Sequence, residues 1–470
     1  MSPFRLTKAA LFSCGCLIAC TSSDPKKAES PEQTSAAKGS AESDRNGRTT
    51  ADQDLPYPPG SEVSFERELN EVARYRQLDV RGSLRGQRVK IPDLLNHVER
   101  AVDLETPEHA LNGTEEMLVA LGVVPLSFRY RATMLKLLSQ QLAGLYEPRL
   151  QAMLIRADLE GVELRMTLLH ELVHALQDQH FKLDEIVTWS KDDTDRSSAL
   201  SCLAEGDATS AMFDGVLPEG QTALSLPPGF IEDKMRELEL SSKDNNIPRI
   251  VQQSLLAPYL DGISFVNALR KRGGWAEVNR VWMEPPTTTE QILHLEKYDL
   301  KETGRTISVP APPGASGWEV LLHDIWGEQN LRLVFAQWQD QKTAAKSAAG
   351  WNGDRLVVYR QGEQSAFAWQ VGADTEEDAI EIFEAFTTGL DKDVDRSPAG
   401  QLATQGPFAT VRCGEISHAK DGRLLAVSRK NSDVFVTSGF FNRSRAEGGS
   451  CGEALAWLKT IDAATRLNAL

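Results

Sequence analysis

The stretch VELRMTLLHELVHALQDQHF, residues 162–181, decides how the chain is read. Leu168, Leu169, Leu172, Val173, Ala175 and Leu176 surround its few polar residues, the pattern of a helix buried around most of its circumference. His170 and His174 lie four residues apart. That spacing puts both imidazoles on one helical face, a turn apart, where they can bind one ion. Glu171 stands beside them, where a carboxylate can take a proton from a water that a metal has acidified. The HExxH pattern alone occurs by chance. Its apolar setting gives it weight, because two His and a Glu in a buried helix are costly unless satisfied. The plainer alternative is a pair of hydrogen-bonded core histidines.

A catalytic zinc usually has three protein ligands, and two residues compete for the third place. His180 closes HELVHALQDQH. If the helix continues through Gln177, six residues turn His180 about 240° from His174 and carry it about 9 Å along the axis, away from the metal. Glu205 lies in ALSCLAEGDA, residues 199–208, a second apolar helix about thirty residues beyond His174. A Glu inside such a stretch requires a cation, and Gly206 beside it permits close helix packing.

HELVHALQDQH followed by AEGDA resembles the gluzincins, the thermolysin-like zinc peptidases, over about residues 130–215. The resemblance implies a zincin-like fold, Zn2+ held by His170, His174 and Glu205, and hydrolysis of peptide bonds in a protein or peptide substrate, with Glu171 as general base. The metzincin pattern HExxHxxGxxH has its third His where His180 stands. It also has a turning Gly where this chain has Gln177, so a metzincin-like peptidase using His180 is the alternative. A catalytically silent zinc-binding or scaffold protein is a second alternative. Glu171 argues against it, since zinc binding needs only the ligands. Asp207 and Asp178 are candidates to orient the imidazoles. Thermolysin-like enzymes have an Asp four residues after the ligand Glu, where this chain has Thr209. Tyr259 and His294 are candidate donors to a developing oxyanion. The short run at 152–155 is the expected edge strand for substrate addition. PYLDGISFVNALRKRGGW, PPTTTEQILH and WNGDRLVVYR look like elements of bacterial HExxH lipoproteins of undefined substrate.

Working outward, residues 62–120 and 131–146 read as amphipathic helices, with a turn at 146–149. Helices are expected over 162–181 and 197–213 and through most of 228–300, with Gly273-Gly274 ending one of them. After PAPPGASG the texture changes to strand-like runs (RLVVYR, SAFAWQV, FATVRC, LLAVSRK, DVFVTSGFF) mixed with helical ones. The expected fold class is α+β: a mostly helical zincin-like domain with a short sheet at 62–305, and a smaller α+β accessory domain at 315–470.

The first 20 residues combine Arg5 and Lys8 with a short apolar stretch ending Leu17-Ile18-Ala19-Cys20, which resembles a bacterial lipobox. That resemblance implies a lipoprotein signal peptide, lipidation of Cys20 and a bacterial cell-envelope location through a membrane anchor. Residues 21–61 are nearly free of apolar side chains and read as a disordered tether. Cys14 and Cys16 leave with the signal and Cys20 carries lipid, so Cys202, Cys413 and Cys451 remain. Cys413–Cys451 is a plausible bridge in an oxidising compartment, and Cys202 reads as a small buried residue. A net charge of −16 over 470 residues leaves no electrostatic footprint for nucleic acid.

Overall fold

The computed structural model of the chain describes residues 56–183, 192–234, 247–314, 316–390, 410–416, 423–442 and 449–468. The signal segment, Cys20 and the tether up to residue 55 lie outside the described residues. The fold is mixed α+β with two sheets. The first sheet contains β1 (Gly60–Glu62), β2 (Arg85–Val89), β3 (Gly144–Glu147) and β4 (Ala152–Arg156), in the order β1-β2-β4-β3. β2 and β4 run parallel and the other pairs antiparallel. Around it lie α1 (Glu66–Arg76), α2 (Ile91–Glu105), α3 (Glu108–Ala120), α4 (Tyr130–Gln141), α5 (Gly161–Phe181), α6 (Thr194–Val216), α7 (Arg249–Met283), α8 (Thr289–Leu293) and α9 (Leu295–Asp299).

Several details differ from the expectation. The helix foreseen over 131–146 stops at Gln141, because Leu142 turns to extended backbone (φ −66°, ψ 111°). Tyr146 and Glu147 therefore lie in β3, and the turn falls at 148–151. β4 is interior, between β2 and β3, so the free edge next to α5 belongs to β3. β2, RGQRV, has no apolar alternation to announce it; its parallel register with β4 holds it. β1 takes up residues 60–62, so the fold begins slightly before residue 62. Gly273 and Gly274 (φ 66°) break α7 into two arms within one run.

The second sheet contains β5 (Glu319–Asp324), β6 (Trp351–Gln361), β7 (Gln364–Ala373), β8 (Thr410–Glu415), β9 (Leu424–Lys430), β10 (Asp433–Ser438) and β11 (Phe441–Asn442). The order is β5-β6-β7-β10-β9-β8, with β11 on β7 and every pair antiparallel. Alternation sends Leu356 and Val358 to one face and Val357 and Tyr359 to the other. On the first face pack α10 (Gly327–Phe335), α11 (Gln341–Ala348) and α12 (Glu376–Thr388). On the second packs α13 (Cys451–Asn468), bonded to β8 by the Cys413–Cys451 disulfide.

The first face also receives Met117, Leu118 and Leu121 from the α3 segment, Met134 and Leu137 from α4, and Ile250 and Val251 from α7. Gly113 lies so near β5 that a Cβ there would meet the Leu322 side chain at 2.6 Å. The change of texture near residue 315 thus marks the start of the second sheet, and one core continues across it. Among the described residues no helix is long and apolar enough to cross a membrane.

Three buried aspartates hold main-chain N–H groups near the junction of the halves, and Asp324 spans it. Asp195 accepts from the Thr289 N–H (2.8 Å), Asp324 from the Thr194 N–H (2.8 Å), and Asp354 from the Trp326 and Gly327 N–H groups (2.8 Å each). Burial pushes Asp324 up to about 7 and Asp354 up to about 6, against the lowering effect of their hydrogen bonds and, for Asp354, of Arg355. Both values exceed those of the unfolded chain, so the native state holds protons that the unfolded state releases. Their contribution is present at low pH and is lost as pH rises toward 7. The urea midpoint is expected to fall between pH 5 and pH 8, and to fall less in Asp324→Asn. An equal fall in both proteins would show that Asp324 is ionised throughout.

Candidate metal centre

Helix α6 has no solvent face from Ala199 to Met212. It packs on α5 and is crossed by α7 where Gly206 meets Gly262. A Cβ on Gly206 would lie 2.1 Å from the Gly262 carbonyl oxygen, and one on Gly262 would lie 2.0 Å from that of Cys202. The two backbones touch, which only glycine allows. The crossing brings Tyr259, one turn before Gly262, against His170, with ring centroids 5.9 Å apart.

His170, His174 and Glu205 converge between α5 and α6. One ligand atom from each lies within 4.8 Å of the others. His170 Nε2 is 2.9 Å from Glu205 Oε2 and 3.2 Å from His174 Nε2. All three residues are buried, and Glu205 Oε1 has no hydrogen-bond partner. Glu171 is buried beside them. The backbone N–H of Tyr146 donates to its Oε2 at 3.0 Å, while its Oε1 is unpartnered. Two imidazoles and a carboxylate at this spacing are a donor set that suits zinc. Two orphaned carboxylate oxygens in a buried site are what a cation would satisfy.

The electrostatics describe a site that attracts positive charge. Burial pushes the Glu171 carboxyl up to about 8, against the lowering effect of His174. Burial also pushes Glu205 up, but the two imidazoles outweigh it and leave the carboxyl below its ordinary value. Burial pulls both histidines down. For His170 it prevails, and for His174 the Glu205 carboxylate reverses it, raising the imidazole to about 9. These values hold with protons as the only cations. A divalent ion among the same donors would displace the proton from His174.

Gln177, where a metzincin would have its turning Gly, has a different place. Its Nε2 donates to the Ala204 carbonyl at 3.1 Å, which turns its Oε1 toward His174 Nδ1 at 2.8 Å. The His174 Nδ1–H is thereby fixed as a donor, and Nε2 is the nitrogen that faces His170 and Glu205. Its signal in the sequence was a polar residue three positions after a candidate ligand His in an apolar helix. α5 runs on unbroken to Phe181, so His180 points elsewhere and pairs with the Asp79 carbonyl at 2.7 Å.

The other candidates scatter. Asp207 does not orient an imidazole. It is in a buried ion pair with Arg76 and accepts from the Trp282 indole at 2.8 Å. Asp178 accepts the Tyr146 hydroxyl at 2.7 Å. His294 is bound to Glu328 at 2.9 Å. Thr209 is buried in α6, and Cys202 is a buried thiol outside the disulfide that receives Gln329 Nε2 at 3.3 Å. A second acidic group, Glu290, Glu302 and Asp374, surrounds the Lys297 ammonium at 2.6–3.1 Å, so a lysine already supplies its cation.

A cavity of about 300 Å³ adjoins the centre, with Glu205 and Tyr259 among its lining residues. Residues 319–444 match a protein family described as "Domain of unknown function (DUF8575)". No curated protein and no solved structure matches the chain.

Gly206→Ala tests the crossing. A methyl group there must push two backbones apart, and overpacking of this kind costs about 1–3 kcal/mol. Chemical unfolding should show that loss. An unchanged midpoint would mean that α6 and α7 are not in contact.

Proposed function

We propose that the chain is a zinc metallopeptidase of gluzincin type. The observation that carries this reading is the buried convergence of His170, His174 and Glu205 beside Glu171, whose Oε1 has no partner. His170, His174 and Glu205 would hold the ion. When bound, zinc supplies Lewis acidity toward water and a scissile carbonyl. Glu171 Oε1 receives the proton from the attacking water and passes it to the departing amine, while the Tyr146 N–H holds Oε2 and fixes the carboxyl orientation. Gln177 keeps the His174 ring in its ligating tautomer. We assign the donor to the developing oxyanion to Tyr259, the aromatic residue packed against His170.

Metal analysis of purified protein tests the ligands. His170→Ala, His174→Ala and Glu205→Ala should each lose bound zinc, His180→Ala should keep it, and Gln177→Ala should weaken it by about 10–100-fold. Glu171→Gln should keep the zinc and lower peptide hydrolysis by about 10²–10⁴-fold. Zinc retained in Glu205→Ala but lost in His180→Ala would overturn the gluzincin arrangement. Identical cleavage by wild type and Glu171→Gln would leave a zinc-binding scaffold.

On Leu17-Ile18-Ala19-Cys20 we further propose a lipid-anchored protein of the bacterial cell envelope. Cells fed an alkyne fatty acid should label the wild type and not Cys20→Ser. Labelling of both would remove the anchor.

A further inference from the structure

We infer that the chain has a second ligand site, away from the metal donors, in a cavity between α7, α10 and α11, and that this site takes a small organic carboxylate with an apolar body.

Helix α7 separates two cavities. Tyr259 lines the one that adjoins Glu205, while Leu260 and Asp261, the next two residues, line a second cavity of about 350 Å³. That volume is within the range of small-molecule sites. Across from α7 stand Arg332 and Leu333 of α10 and Ala336 just after it. Gln341 and Lys342 of α11, both exposed, stand at the mouth. None of His170, Glu171, His174 and Glu205 lines this space.

Two cations meet one carboxylate in it. Arg332 donates from Nη2 to Asp261 Oδ2 at 2.5 Å, and Gln329 Nε2 donates to the same oxygen at 2.7 Å. Arg332 Nε and Nη1 donate to no other described residue. Lys342 has no ion pair among the described residues, whereas Lys346, one turn further along α11, is taken by Glu381. The other carboxylates nearby are committed. Glu328 is bound to His294, and Asp340 accepts from the N–H groups of Lys342 and Thr343 and from the Thr343 hydroxyl. The cavity therefore has one positive charge in excess, and its arginine has donors to spare.

The walls select the occupant. A guanidinium with unused N–H groups matches the planar, two-oxygen geometry of a carboxylate. A monoanion balances the single excess charge. A phosphate dianion would exceed it and would face Asp261. The rest of the lining is mostly apolar, from Leu256, Ala257 and Leu260 on one side and Leu333, Ala336 and Ala345 on the other, and it favours a hydrocarbon body attached to the charged group.

Ligand-observed NMR titration of the full chain with hexanoate tests the site. Hexanoate is expected to bind at least about tenfold tighter than acetate, which lacks the apolar body, and than 1-hexanol, which lacks the charge. Arg332→Met should weaken hexanoate by about tenfold or more. Because Arg332→Met leaves Asp261 short of a partner, circular dichroism accompanies it. Lys342 is exposed, so Lys342→Glu keeps the fold, and it should weaken hexanoate by about fivefold. Equal affinity in wild type and Lys342→Glu would overturn the site. Hexanol binding as tightly as hexanoate would reduce it to an apolar cavity, and tighter binding of hexyl phosphate would overturn the carboxylate assignment. A carboxylate can also ligate a metal, so the titration is repeated after dialysis against a chelator. Unchanged affinity is expected, and its loss would assign the binding to the metal donors instead. No arm of the test reads hydrolysis, so its outcome is independent of the peptidase reading.

Discussion

A helix without a solvent face must find a partner for every polar side chain it carries, and α6 is such a helix from Ala199 to Met212. It meets the constraint one residue at a time. Ser201 bonds back to the Ser197 carbonyl, Asp207 takes Arg76 and the Trp282 indole, and Ser210 takes Asn267 and Arg270. Glu205 is the exception. One of its oxygens faces His170, and the other has no partner. Breaking a buried pair such as Arg76–Asp207 typically costs about 3–5 kcal/mol, so evolution does not leave such groups unsatisfied without compensation elsewhere. The incomplete satisfaction at Glu205, while Ser201, Asp207 and Ser210 of the same helix all have partners, is the physical argument for a cation at that point.

The same helix explains why the two halves of the chain are not independent. Its N-terminus is tied by Asp195 to α8, and by Thr194 to Asp324 of β5. The family match begins at Glu319, the first residue of β5, and ends near β11, so it follows the second sheet closely. Yet the apolar face of that sheet is covered in part by α3 and α4, which lie far outside the match. A sheet cut out at residue 319 would expose Leu356, Val358 and Trp369 where Met117 and Leu118 now cover part of that cluster. Helices α3, α4 and α7 and the C-terminal sheet therefore share one core, and residues of all of them line the cavity beside Glu205.

Much of this was legible in the sequence, for identifiable reasons. α5 and α6 are long and strongly apolar, and their embedded polar residues could be read as a demand for partners, so His170, His174, Glu171 and Glu205 were all accessible. So was the role of Gly206, because a glycine in a buried helix has few other uses. The second sheet declared itself through alternation at RLVVYR and SAFAWQV. β2 and β3 did not. RGQRV is held by backbone pairing rather than by side-chain pattern, and GLYE follows a helix whose amphipathic period runs past its true end. The roles of Asp207 and Asp178 were illegible for another reason. Each carboxylate had a nearer partner, Arg76 in one case and Tyr146 in the other, supplied by elements that no local pattern places beside them.

Tyr146 shows what the misread strand does for the site. Its N–H holds Glu171, and its hydroxyl holds Asp178 two turns further along α5. One residue of β3 thus clamps the edge of the first sheet to the helix over seven positions. Gly144 makes the clamp possible, since a Cβ there would meet the Leu154 carbonyl at 2.9 Å and the Thr167 side chain at 3.2 Å. The strand can lie this close to α5 only because that position is bare. The consequence is a division of labour. The helices α5 and α6 fix His170, His174 and Glu205 relative to one another, whereas the sheet fixes the Glu171 carboxyl group relative to those three side chains. Because the contact to Glu171 is a main-chain N–H, the orientation of its carboxyl group depends on strand register and not on any side chain. Changes that spare all four of these residues but shift β3 along β4 would therefore misplace Glu171 while leaving His170, His174 and Glu205 together.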